Sequence, residues 1–441
     1  MRKLIKKLPF TSLLYVAIVF VVVSIFSEYP RSGARTAIEQ SVPVPLLAQG
    51  HPVDWWFAFK LNSGIFPNCG GAKRACPFGG TIQKYTDGQQ YVLASSESQT
   101  LTQGTGCVGD TGTDPIGATF GQVYNGSFHY VIWNDQFYND PPIKDCPGTY
   151  CSSPWGHSKG MIAWNDDGKG FVMQVTTPSW PAAGSKKHPR TTDGNSLGCV
   201  KDDNVLVSQH FFALKLNKDD LVSVLKALQN SSVVTDPTNP QIVSNGGPDD
   251  VQQLVNGLGK LSSSTTFQTF KLSSGVELIS KPSNLHVPTW QMVSAILGGV
   301  SLRAATWWED PAIPTTTAST PVKCWDASLS KPGAVQIATT GIWAGKAIGL
   351  TGGDGSNYNH AKIGVSLSGS NNYAIFGDMN QQGTLSGSNC GSSQNGRGGL
   401  FYVVDNKELS DSVAALIKGS TASTKVPSSG SKPKPKTKKR N

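Results

Sequence analysis

Apolar residues in this chain fall into short runs separated by stretches rich in glycine, asparagine, aspartate and proline. Runs of that length, bounded by turn formers, predict strands. Met161-Ile162-Ala163-Trp164 and Phe171-Val172-Met173-Gln174-Val175 flank the turn Asp166-Asp167-Gly168-Lys169-Gly170, which reads as a hairpin. A second such arrangement has Ile363-Gly364-Val365-Ser366 and Tyr373-Ala374-Ile375-Phe376 on either side of the polar stretch 366–372. Helical periodicity is strongest over Leu214–Leu228, Val251–Leu261, Trp290–Leu297 and Asp411–Ile417. The mixture predicts an α+β (mixed α/β) protein with two pseudo-symmetric halves, each with a central sheet flanked by helices. The boundaries follow from composition: a half over 51–228, an Asn/Pro/Ser/Gly-rich linker over 229–250 and a second half over 251–418. Residues 419–441, rich in Ser, Thr, Pro and Lys without periodicity, read as a disordered tail.

The N-terminus has a different pattern. Arg2, Lys3, Lys6 and Lys7 precede an apolar run from Thr11 to Phe26. That is a targeting segment over 1–27, either a cleaved signal peptide or a retained membrane anchor, followed by a leader or stalk over 28–50. Export is predicted, to a periplasmic, secreted or lysosome-like compartment. The 8 cysteines agree with it, and Cys69/Cys76 and Cys146/Cys151 are plausible local disulfides. The net charge of +9 is not a nucleic-acid signature in itself. Four basic residues at the N-terminus and six at the C-terminus (Lys432, Lys434, Lys436, Lys438, Lys439 and Arg440) more than account for it.

The chemistry lies in a pattern that occurs twice. Gly156-His157-Ser158-Lys159-Gly160 and Asn359-His360-Ala361-Lys362-Ile363 each place a histidine two residues before a lysine at the start of a predicted strand. Residues i and i+2 of a strand share a face, so each copy presents an imidazole beside an ammonium. Two copies meeting across a pseudo-twofold axis would surround a phosphate with His157, His360, Lys159 and Lys362, a set able to cleave a phosphodiester without metal or cofactor. Each copy leads to a polar position after its second strand: Ser179 in the first half, and Asp378 and Asn380 in the second. The first pentapeptide also satisfies Gly-x-Ser-x-Gly, but that nucleophile elbow needs strand, turn and helix, whereas strand, turn and strand follow here. No Cys-x-x-Cys or His-Glu-x-x-His zinc pattern is present.

Taken in order, these residues resemble the deoxyribonuclease II family, which is built on the phospholipase D fold. The resemblance runs from Val53-Asp54-Trp55-Trp56 through Asn134-Asp135-Gln136, both His-x-Lys motifs, Pro178-Ser179-Trp180-Pro181 and Gly377-Asp378-Met379-Asn380 to Arg397-Gly398-Gly399. It implies an endodeoxyribonuclease acting on DNA through a phosphohistidine, leaving 3′-phosphate and 5′-hydroxyl ends, with Asp378, Asn380 and Ser179 positioning the substrate. An acid optimum is expected, because one histidine must be neutral and the other protonated. The chain departs from the family at Asn359, where an acid is usual, and at Ser179, where asparagine is expected. The aspartate that phospholipase D motifs carry further on is replaced by Trp164 and Leu367. A phospholipase D-like lipid phosphodiesterase and a catalytically inactive nucleic-acid-binding envelope protein are the alternative readings.

Overall fold

The structure is a computed structural model that describes residues 41–66, 90–105, 108, 112–146, 148–190 and 206–425. The targeting segment, the Cys69/Cys76 pair, Cys107, Cys199 and the basic tail lie outside the described residues. Among the described residues no helix is long and apolar enough to cross a membrane. Among the described residues two disulfides are formed, Cys146–Cys151 as expected and Cys324–Cys390.

In chain order, a hairpin of β1 (Leu46–Ala48) and β2 (His51–Pro52) is followed by β3 (Trp55–Lys60), β4 (Tyr91–Ser95), β5 (Thr102–Gln103) and helix α1 (Pro115–Tyr124). Then come β6 (His129–Asn134), β7 (Lys159–Trp164), β8 (Gly170–Val175), β9 (Gln209–Leu216), α2 (Lys218–Asn230) and β10 (Val243–Ser244). The remainder is α3 (Asp249–Asn256), β11 (Gln268–Lys271), β12 (Glu277–Lys281), α4 (Thr289–Ile296), β13 (Leu302–Ala305) and β14 (Val335–Ile337). It continues with the hairpin of β15 (Thr340–Trp343) and β16 (Lys346–Gly349), then β17 (Ile363–Ser366), β18 (Tyr373–Gly377), β19 (Gly399–Asp405) and α5 (Lys407–Leu416). Asp114, Asn217 and Asn406 cap α1, α2 and α5 by accepting backbone N–H bonds, the usual work of Asx residues at helix starts.

Two sheets carry the fold, with strand orders β10-β6-β7-β8-β9-β3-β4-β5 and β11-β12-β19-β18-β17-β13-β14. The run β6-β7-β8-β9-β3 in the first matches β13-β17-β18-β19-β12 in the second, antiparallel throughout. Helices fall at equivalent places: α1 and α4 before β6 and β13, α2 and α5 after β9 and β19. The internal duplication is thus one of topology as well as motif.

The sheets meet through aromatic side chains. Phe57 of β3 stacks on Phe376 of β18 with ring centroids 4.3 Å apart, and Phe212 of β9 lies 4.8 Å from the same ring. One continuous apolar core holds residues of both sheets. Every residue of β7 is buried, because one face of its sheet meets the other sheet while its edges are paired. The stretch 229–250 is built into this body: Ser231 and Ser232 are buried, and β10 pairs with β6.

Candidate active site

Both histidines reach one cleft of about 270 Å³, lined by Gln136, Tyr138, His157, Pro178, Trp307, Asp354, His360, Lys362, Asn380 and Gln382. They stand just ahead of β7 and β17 rather than on them, at the strand ends where the halves abut. Each is hung from the opposite half. The His157 N–H donates to the Gly398 carbonyl at 2.8 Å, and the His360 N–H donates to the Ser208 carbonyl at 2.8 Å. Gly398 permits this contact because a Cβ there would lie 2.1 Å from the Ser231 carbonyl oxygen.

The rings are held differently. His157 Nδ1 donates to the Asp378 carbonyl at 2.8 Å, which leaves Nε2 with its lone pair. His360 bonds to the Gly353 backbone, and its ring packs edge-to-face with Trp307, centroids 4.3 Å apart. Burial pushes both imidazoles well below their ordinary range. Lys362 and Lys159 reinforce this at each ring, whereas Asp135 opposes it at His157.

The lysines are not equivalent. Lys159 is buried in an ion pair with Asp135, Nζ to Oδ1 at 2.5 Å, and does not line the cleft. Arg397 binds the other oxygen of Asp135 at 2.8 Å. Burial alone would raise that carboxyl, but Lys159 and Arg397 overcome it and hold it well below the usual carboxylate range. Lys362 does line the cleft. Its Nζ donates to the His360 carbonyl at 2.5 Å, and no ion-pair partner lies within reach among the described residues. Burial and the charge of Lys159 lower it to about 7.

Sheet register explains the difference. Asn134 faces Lys159 across β6 and β7, and Ala305 faces Ile363 across β13 and β17. Extending both pairings places Trp307 where the first half has Asp135. The acid draws Lys159 inward; the indole packs on His360 and leaves Lys362 to the cleft.

The expected positioning residues separate. Asn380 lines the cleft; its Nδ2 donates to Gln382 at 2.9 Å, and its Oδ1 accepts no bond among the described residues. The Asp378 carboxylate is buried behind the cleft, accepting from Gln174 at 3.0 Å and the Leu400 N–H at 2.9 Å. Burial lifts it to about 7 against those bonds and one from Ser158. What Asp378 offers the site is its backbone carbonyl. Ser179 is buried beside the cleft wall with φ of 59°, its carbonyl held by Arg190 at 2.6 Å, and only its neighbour Pro178 lines the cleft. Asn359 accepts from the Ala361 N–H and donates to the Ala361 carbonyl, pinning the second His-x-Lys turn.

Motif reading missed several residues. His210, given no role from sequence, is fully buried and accepts the Lys362 N–H at Nδ1, 3.1 Å away. Gln136, Tyr138, Asp354 and Gln382 complete the cleft wall. The left-handed φ of 56° at Tyr138, unusual for a bulky residue, can only be seen in the structure. Among the described residues no three His, Cys, Asp or Glu side chains form a metal-binding group.

A duplicated α+β core whose two halves bring a repeated His-x-Lys motif to one cleft defines the class of the protein. The sequence model of one family, deoxyribonuclease II, matches residues 46–422. The chain belongs to that family and is a hydrolase, a DNA-cleaving nuclease. It is also similar to cell-death-related nuclease 7 of Caenorhabditis elegans, 25% identical over 376 residues, which cover 82% of this chain and 83% of that protein. Its disulfides suit the extracellular or lysosomal surroundings in which such bridges persist.

Proposed function

We propose that this nuclease is an exported endodeoxyribonuclease that cleaves DNA by a two-step displacement, with His157 as nucleophile and His360 as acid and then base. The supporting observation is the convergence of both imidazoles and Lys362 on one cleft, with Nδ1 of His157 already committed to the Asp378 carbonyl. Nε2 of His157 attacks phosphorus. The bond to the 5′-oxygen breaks, and His360 supplies the proton to that leaving group. Lys362 stabilises the non-bridging oxygens, and Lys159 acts from behind Asp135 by holding the motif in place. Water then attacks the phosphohistidine, giving its proton to His360. The P–N bond breaks, leaving a 3′-phosphate and a 5′-hydroxyl. In this reading Asn380 Oδ1, which accepts no bond among the described residues, holds that water.

The pH dependence follows from burial. The reaction needs His360 protonated, and its pKa lies below the ordinary value, so the optimum is acidic. A bound phosphodiester anion shifts it part of the way back. The cleft wall is predominantly polar, which favours a nucleic acid over an acyl chain.

The test is plasmid nicking by the purified chain at pH 5 in EDTA, beside His157→Ala and His360→Ala. Nicking that survives EDTA and is lost in both variants supports the mechanism. A requirement for added metal, or cleavage by both variants, sinks it.

A further inference from the structure

Two buried lysines outside the motifs occupy equivalent places in the two halves. Lys60 ends β3 and Lys281 ends β12; their exposures are 1% and 0%. Lys60 pairs in register with Gln209 at the start of β9, and Lys281 with Gly399 at the start of β19. Lys60 Nζ donates to the Val207 carbonyl at 2.5 Å. Lys281 Nζ donates to the Arg397 carbonyl at 2.8 Å, to that of Asn395 at 2.9 Å and to that of Pro282 at 3.3 Å.

Val207 and Arg397 immediately precede Ser208 and Gly398, whose carbonyls receive the N–H groups of His360 and His157. The chain of contacts is therefore the same twice over: strand-end lysine, carbonyl, next carbonyl, histidine of the opposite half. Two copies in matching register make this a built device rather than an accident of packing.

We propose that Lys60 and Lys281 are positioning residues, Lys60 for His360 and Lys281 for His157, each fixing the segment from which the opposite half's histidine hangs. The proposal rests on the two-histidine reading of the cleft. The physical need is plain. The segments before β9 and β19 carry carbonyls that face inward, where no water can satisfy them, and an unpaired buried carbonyl is costly. An ammonium brings up to three donors to one point, which a neutral aliphatic side chain cannot. Where the donors are lost, the segment turns its carbonyls elsewhere and the histidine moves with it. A misplacement of about 1 Å costs roughly a hundredfold in rate. Burial lowers Lys281 to about 7, so it carries its charge in acid.

The experiment uses the full chain with Lys60→Met and Lys281→Met, which fill similar volume without donors. Amide hydrogen exchange is read at the N–H groups of His157 and His360, beside kcat and KM on plasmid DNA. Lys281→Met is expected to speed exchange at His157 by about tenfold, the loss of one hydrogen bond, and to leave His360 unchanged. Lys60→Met does the converse. In each, kcat falls about a hundredfold with KM little changed. If a Met chain does not fold, Lys60→Gln and Lys281→Gln, which keep one donor group, must give the same ordering in smaller degree. Equal acceleration at both histidines, or none, overturns the proposal. The exchange measurement needs no turnover, so an inactive wild type would refute the nuclease mechanism while the positioning test still stands.

Discussion

The imidazole of His157 donates through Nδ1 to the backbone carbonyl of Asp378, which lies 221 residues further along the chain and in the other half. A carbonyl accepts only, so this bond fixes the tautomer and directs the Nε2 lone pair away from Asp378. The His360 ring is held differently, bonding to the Gly353 backbone and packing edge-to-face with Trp307. The pseudo-twofold axis is thus broken at the two histidines.

In the proposed mechanism the covalent step falls to His157, whose Nδ1 donates to the Asp378 carbonyl and leaves Nε2 its lone pair. The p-nitrophenyl ester of thymidine 3′-phosphate has a leaving group that needs no proton. With it, His360→Ala should release one equivalent of nitrophenolate per chain and then stall, with phosphorus-labelled peptide containing His157. His157→Ala should give no burst. A burst in His157→Ala and none in His360→Ala would reverse the assignment.

The two lysines should fail in different ways. Lys362 faces the cleft, so Lys362→Met should lower kcat by about 10²–10³, as loss of one transition-state donor does. Its stability should change little. Lys159→Met removes one partner of a buried ion pair and leaves Asp135 with Arg397 alone, a loss of about 3–5 kcal/mol. Urea denaturation beside kcat separates them. Equal stability losses in the two variants would show that the register argument misplaces the lysines.

Much of this could be read from the chain because it is local. The short apolar runs became β7, β8, β17 and β18, and the duplicated His-x-Lys pattern led to the cleft. The symmetry expected of the motifs was too strict. A three-residue pattern cannot show that Asp135, at the end of a neighbouring strand, will capture Lys159, or that Trp307 takes the same place beside His360. Asp378 was legible as a site residue, but its contribution is a main-chain carbonyl, and no side-chain pattern encodes that. Lys60, Lys281 and His210 make contacts 147, 116 and 152 residues away, brought together by strand pairing, and carry no local signature.

Ser179 provides a test of structure against resemblance. Its φ of 59° is left-handed, a region that asparagine tolerates better than serine. Its side chain does not line the cleft. Ser179→Asn should therefore raise stability by about 0.5 kcal/mol or more while kcat/KM stays within about twofold, the scale of backbone-compatible substitutions. A large rate increase with unchanged melting temperature would instead give residue 179 a direct part in catalysis.

Asp378→Asn separates carboxylate from carbonyl. The backbone carbonyl that holds His157 survives the substitution, so cleavage at pH 5 should stay within about tenfold of wild type, far from the loss of a catalytic group. The stability profile should change more. The carboxyl titrates near 7 in the folded chain against 3.8 normally, so the folded state holds its proton more tightly. Its contribution is fully present below about 4 and is lost as pH rises through 7, on the order of 4 kcal/mol at about 1.4 kcal/mol per unit. The buried imidazoles of His157, His210 and His360 work in the opposite sense. Their lowered pKa values contribute stability above the ordinary histidine range that is lost as pH falls. Both chains share the histidines, so their contribution cancels in the difference between wild type and Asp378→Asn. Denaturant unfolding from pH 4.5 to 7.5 should find wild type losing ground to the variant steadily across that window. A difference that does not vary with pH would mean that Asp378 is ionised throughout.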